Sequence, residues 1–341
     1  MAAIDQFDPR TASPEDLHAW CVVSSEVDQQ LRPGEAVRPL SSHLALLCGF
    51  EHAWITQRWV ARGDSGDVIG CCTTSWPDAP QNRDAVFVEI EVLTAHRRAG
   101  VGSALMLTAA AHARCDSRSI VTVEAKSGAA GAAFLAALGA EQKTVDRRSL
   151  LEVATVDPVA LRQWGQPSPG AEGRYSLVQW RDVTPADLLD DHADLRTAMN
   201  DAPRERLELE DEVYTPARIR AYEDTMSGRG DELWATCVRD EVSGRLVGLT
   251  DLNGPGGWPE WAYQEDTVVL DEHRGHGLGR WIKAANLAFL LTDRPSTEWV
   301  QTFNAEVNRH MLDINEAMGF RPADARGEWQ VRVDALETRA G

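Results

Sequence analysis

Three glycines at alternate positions, Gly275, Gly277 and Gly279, stand among five basic side chains, His273, Arg274, His276, Arg280 and Lys283. Glycine lets a bound group approach the backbone closely, and the unpaired N–H groups of a helix's first turn form an anion site. The chemistry this spacing offers is the grip of a phosphate or pyrophosphate. The residues before it, Thr267, Val268, Val269 and Leu270, read as a strand. Those after it carry Trp281, Ala284, Ala285, Ala288 and Phe289 at helical spacing. The elements required are therefore a strand, a tight turn and a helix. A Walker loop is excluded, because no glycine here is followed by Lys-Ser or Lys-Thr in that pattern. The dinucleotide fingerprint is excluded by Ile282, which stands where a third glycine is needed.

The chain holds a second copy. Phe87 to Ala104 is again a strand running into Arg97, Gly100 and Gly102, with Arg97 and Arg274 lying 177 residues apart. Val68-Ile69-Gly70 matches Leu246-Val247-Gly248, and Ala137-Leu138-Gly139 matches Ala317-Met318-Gly319, at nearly the same offset. Three matched landmarks in one order indicate an internal duplication.

Both turns have the form Arg-x-x-Gly-x-Gly, which resembles the acetyl-CoA pyrophosphate loop of the GNAT family of N-acyltransferases. The paired arrangement is similar to that of actinobacterial two-domain GNAT proteins. The fold class implied is α/β, an α+β mixed sheet, in two tandem GNAT domains placed at 1–156 and 175–341 with a Pro- and Gly-rich linker at 157–174. The reaction implied is transfer of an acetyl group from acetyl-CoA to the amine of a small molecule. Alternatives are a regulatory acyl-CoA-binding protein and transfer of a longer acyl group in secondary metabolism. In the second module the resemblance assigns the carrier to Val268, Val269, Arg274, Gly275, His276, Gly277, Leu278, Gly279, Arg280 and Asn308. In the first it assigns Val92, Leu93, Arg97, Arg98, Ala99, Gly100, Val101, Gly102 and Ser103.

Acyl transfer needs a neutral attacking amine, hence a base, and donors for the carbonyl oxygen and the leaving thiolate. Glu89 and Glu91 share one face of the first central strand. Counting back eight residues from each loop arginine matches Glu89 with Asp266, so Asp266 and its neighbour Glu265 are the second module's base candidates. A solvated or salt-bridged carboxylate is the alternative reading. The family often places a tyrosine four residues before the glycine after the last helix, as an acid toward sulfur; here those positions are Asn315 and Leu135. Asn304 and Asn308 add hydrogen-bonding groups to the second module, although Asn308 also suits a helix cap, whereas the first has Ala125 and Ala129. This asymmetry favours the second module as the transferase.

The remaining features bound the answer. A chain of 341 residues with 43% hydrophobic content suffices for two cores. The net charge of −19 opposes nucleic-acid binding and suits a cationic amine. No apolar run is long enough for a membrane span, and the N-terminus lacks the pattern of a secretion signal. Six cysteines without a C-x-x-C pair suggest reduced thiols in a cytoplasm, with no metal site. Cys71 and Cys72, adjacent on a strand, should face opposite sides. Trp258 and Trp261 could line an acceptor pocket or pack in a core. Oligomeric state is left open by the sequence.

Overall fold

The computed structural model describes residues 2–49, 52–202 and 206–338. By contacts the chain divides into two units. The first is made of the described residues of Met1–Val145, Glu205–Glu210 and Ala325–Gly341; the second, of those of Asp146–Arg204 and Asp211–Asp324.

In the first unit, strand β1 (Ala3–Phe7) leads to α1 (Pro14–Leu31), α2 (Leu40–Cys48) and the hairpin β2 (Trp54–Arg62) and β3 (Val68–Pro77). Then come β4 (Ala85–Val92), α3 (Val101–Cys115), β5 (Ile120–Lys126) and α4 (Ala130–Ala137). α1 begins where its residues dictate: Ser13 accepts the N–H of Asp16 at 3.1 Å and Pro14 occupies the first turn. α2 ends at Cys48, and Phe50 and Glu51 lie outside the described residues.

β6 (Glu141–Glu152) follows, and with it the first departure from the expected boundaries. Its residues Asp146 to Glu152 pair antiparallel with β11 (Trp299–Ala305) of the second unit. Reciprocally, the chain's last strand, β12 (Arg321–Arg332), pairs with β5 of the first unit from Arg326–Lys126 to Arg332–Ile120. Each half of the sequence thus lends its final strand to the other half's sheet. Breaks at 156 and 175 assumed that each half keeps its own.

The expected linker is also structured. Asp157 caps α5 (Pro158–Trp164), which packs on α8 (Leu278–Asp293). The second unit continues with β7 (Tyr175–Arg181), α6 (Leu189–Thr197), α7 (Pro216–Arg229), the hairpin β8 (Glu232–Asp240) and β9 (Leu246–Gly254), β10 (Trp261–Val269), α8 (Leu278–Asp293), β11 and α9 (Arg309–Ala317). α10 (Val333–Thr338) follows β12.

Each unit is a mixed sheet, in the orders β1-β2-β3-β4-β5-β12 and β6-β11-β10-β9-β8-β7. Helices cover both faces of each. In the first unit, Leu105, Met106, Ala109 and Ala113 of α3 pack one face with Trp59, Val86 and Val121, while Trp20, Cys21 and Val23 of α1 pack the other. Cys71 and Cys72 lie in these two separate clusters, on opposite faces as alternation requires. Trp258 and Trp261 are stacked at 4.6 Å between ring centroids and buried, so they pack a core.

Candidate active site

Each central strand separates from its parallel neighbour part-way along. β10 pairs with β11 only from Trp261–Trp299 to Gln264–Thr302, and β4 pairs with β5 only from Ala85–Ile120 to Phe87–Thr122. Both central strands run on past that point, to Val269 and Val92. Their backbone groups on the opened side are therefore available to an extended ligand.

The glycine turns follow directly. After β10, a short 3₁₀ turn at Asp271–His273 leads to Arg274, then to Gly275 and Gly277 at φ 82° and 73°, and α8 begins at Leu278. After β4, the turn at Thr94–His96 leads to Arg97 and to Gly100 at φ 84°, and α3 begins at Val101. The left-handed backbone at Gly277 and Gly100 is why glycine stands there. Arg98 occupies the place of Gly275 with φ 64°, a conformation costly for a side chain with a Cβ. Neither α3 nor α8 has a side-chain cap, so their first N–H groups are open to an anion.

The two loop arginines do equivalent work. Arg274 Nε donates to the carbonyl of Val269 at 3.0 Å, and Arg97 Nε donates to that of Val92 at 2.9 Å. They hold strand end to turn. Arg274 also pairs with Asp271 at 2.6 Å, and Arg97 donates to Gln30 at 2.8 Å. The second turn is further braced by the segment expected to be a linker: Ser168 donates to the carbonyl of His276 at 2.6 Å, and Trp281 donates to that of Gly165 at 3.0 Å. His273 lies 2.9 Å from the hydroxyl of Tyr175.

The carboxylates differ between units, and a bulge is the reason. β4 pairs with β3 in unbroken register, with Glu89 opposite Thr73. β10 carries one extra residue: Gln264 opposes Leu252 and Thr267 opposes Thr250, leaving Glu265 and Asp266 together opposite Asp251. Before the bulge the repeat offset is one residue smaller than at the loop. Glu265 and Asp266 together take the place of Glu89, so the count back to Asp266 crosses the bulge.

Asp266 is ion-paired with Arg196 of α6, and Arg196 also binds Asp251 at 2.6 Å. The salt-bridged alternative for Asp266 is the observed one. Glu265 forms no ion pair among the described residues. The residue as a whole is exposed, yet the protein packed around its carboxyl and the charges of Asp251 and Asp266 push its pKa up to about 8. Glu89 is raised for the same first reason, burial, with Glu124 adding to it. Glu91 accepts from Ser24 and is pushed up to about 8 by burial and by Glu89.

At the mouth of the opened strands Asn315 donates to Asn304 at 2.7 Å; Asn315 is 1% exposed and its Oδ1 has no hydrogen-bond partner. The first unit has Ala125 and the core residue Leu135 at these places. Asn308 caps α9, accepting from the N–H of Met311 at 3.3 Å. Sequence reasoning missed Arg196 and Asp251, since neither belongs to a spaced motif.

Residues 27–140 match the model of the acetyltransferase (GNAT) family. That stretch, which lies in the first unit, is a GNAT domain by this match. The tandem GNAT protein from the clavulanic acid biosynthesis pathway, solved without acetyl-CoA, is 28% identical over 98% of this chain and 99% of its own, with a TM-score of 0.80. A GCN5-related N-acetyltransferase from Sphaerobacter thermophilus shares the fold at 12% identity, 97% and 96% coverage and TM-score 0.66. The glucosamine N-acetyltransferase region of a fungal multi-domain β-N-acetylglucosaminidase shares it at 14% identity and TM-score 0.69, covering 97% of this chain and 38% of that one. No curated protein matches the sequence. The family match and the tandem neighbour, which spans both copies of the repeat, together support an N-acetyltransferase. Among its described residues no helix is long and apolar enough to cross a membrane.

Proposed function

We propose that the second unit transfers an acetyl group from acetyl-CoA to the amine of a small, cationic acceptor. The observation that carries this reading is Glu265: a carboxylate with no ion pair and a raised pKa, placed by a bulge where the central strand leaves its neighbour. Glu265, not Asp266, is the base that takes the amine's proton. The backbone of Val268 and Val269 pairs with the carrier's arm, and the turn from Arg274 to Arg280 receives its pyrophosphate. The Asn304–Asn315 pair supplies hydrogen bonding beside the thioester, and sulfur leaves without a tyrosine acid. A cationic amine suits a cleft in which the three carboxylates Asp251, Asp266 and Glu265 gather around Arg196. The tandem relative from clavulanic acid biosynthesis supports a role in the making of an antibiotic or related secondary metabolite.

The first unit holds acyl-CoA at Val92, Leu93 and the turn from Arg97 to Ser103, with Ala125 and Leu135 leaving it no donor beside the thioester. A second reading gives that unit the transfer, because Glu89 is also raised and free of an ion pair among the described residues. Thiol release from acetyl-CoA with a panel of primary amines decides. Glu265→Gln is expected to lower the rate about 10²- to 10⁴-fold and Glu89→Gln to spare it; the opposite result moves catalysis to the first unit.

A further inference from the structure

Arg196 is 9% exposed and each of its three guanidinium nitrogens has a hydrogen-bond partner. One terminal nitrogen meets Asp266 and the other meets Asp251 at 2.6 Å. Nε donates to His192 Nε2 at 3.4 Å, and the ring of Tyr222 lies 5.4 Å from the guanidinium carbon. His192 must accept at Nε2 because arginine only donates. The proton is then on Nδ1, 2.9 Å from the hydroxyl of Thr184. Burial and the charge of Arg196 keep His192 neutral at ordinary pH.

Two of the groups Arg196 touches define the bulge. Asp251 sits on β9 opposite the inserted residue, and Asp266 is half of the bulged pair. A guanidinium spanning both ties the bulged strand to its neighbour across the position where the regular ladder is interrupted. It also neutralises Asp266 and leaves Glu265 as the carboxylate of the pair without a partner.

We infer that Arg196 is a positioning residue for acyl transfer: by bridging Asp251 and Asp266 it fixes the β10 bulge and selects Glu265 as the carboxylate presented to the acceptor. This rests on the reading of Glu265 as the base. The first unit lacks the device, for β4 has no bulge and Thr73 stands where β9 has Asp251.

The test titrates Glu265 in the full chain by NMR with glutamate labelled at the side-chain carboxyl; its resonance is the one lost in Glu265→Gln. Arg196→Met removes the cation nearest the three carboxylates, so the midpoint should rise by about one pH unit or more. Arg196→Lys should restore most of it. An unchanged midpoint overturns the inference. Should Arg196→Met not fold, the charge-balanced Arg196→Met/Asp266→Asn chain is assayed for thiol release from acetyl-CoA with the amine panel. A fall of about tenfold or more in kcat, with KM for acetyl-CoA kept, supports positioning, and an unaltered kcat refutes it. Full activity in Glu265→Gln would instead sink the base assignment, while the titration still decides the role of Arg196.

Discussion

Arg274 Nε lies 3.0 Å from the carbonyl oxygen of Val269, so the arginine that opens the phosphate turn is turned back on the strand that precedes it. Arg97 repeats the contact with Val92 at 2.9 Å. The conserved geometry of the two copies is a strand-end clasp, and the anion is left to the helix N–H groups and the flanking basic side chains.

Arg274→Gln should accordingly act through the shape of the turn as well as through charge. Loss of one hydrogen bond from a charged donor is expected to weaken acetyl-CoA binding at the second unit by about 1.5–3 kcal/mol, read by calorimetry. Arg274→Lys should rescue little of it, because an ammonium does not reproduce the direction of Nε–H. Full rescue by lysine would show that only charge matters.

How far the sequence could be read follows from the range of each signal. The turns were legible because glycine, arginine and the helix start lie within a few residues of one another. The exchange of β6 and β12 was not, since either strand has the alternation that fits either sheet, and the choice of partner is made by contacts far apart in sequence. The same holds for the bulge: a count back from Arg274 assumes a constant offset, and one inserted residue puts both Glu265 and Asp266 in the place of Glu89. Proline and glycine at 158–173 suggested a linker, yet Asp157 and Pro158 also start a helix, and that helix braces α8. Nor does any local pattern announce that Thr184 bonds His192 through its hydroxyl and donates its N–H to Glu223 at 2.8 Å.

The pH dependence of transfer follows from Glu265. A base works ionised, and burial with two neighbouring carboxylates has pushed this pKa up to about 8. The rate should therefore climb with pH through about 8. Asp266→Asn removes one of the negative neighbours, so the midpoint should fall and activity at pH 7 should persist. A profile that rises near pH 4 to 5 instead would remove Glu265 from the mechanism.

Gly277 and Gly100 are the positions at which a side chain would do most harm to the carrier. Both have left-handed backbone at the first turn of a helix, and alanine there costs about 1–2 kcal/mol in strain. Around Gly100 no atom lies within 4 Å of an added Cβ, so the protein itself offers no clash and the loss should appear in carrier binding more than in folding. Gly100→Ala should weaken acetyl-CoA binding at the first unit and leave the rate at the second unaltered, measured by calorimetry and thiol release. A matching loss of transfer would show that the first unit takes part in the chemistry.

Lys283 is the most exposed to test among the buried charges, because the repeat supplies its own control. It is 1% exposed on the inner face of α8, its ammonium 6.0 Å from the ring centre of Phe320, while the equivalent place in α3 is Met106. Burial lowers its pKa to about 7, against an unfolded value of about 10.4. Between those values the unfolded chain binds more protons than the folded one, so stability rises with pH across the window. The full penalty is present below pH 7, where folding must bury the charged form. Lys283→Met removes the penalty. The variant should be more stable than the parent by a few kcal/mol, on the order of the pKa difference converted at about 1.4 kcal/mol per unit, at pH 7. That advantage should shrink by up to about 1.4 kcal/mol for each pH unit toward 10. Urea unfolding of both proteins at pH 7 and pH 9.5 measures it, and an advantage equal at the two pH values would mean that Lys283 is buried without cost to its charged form.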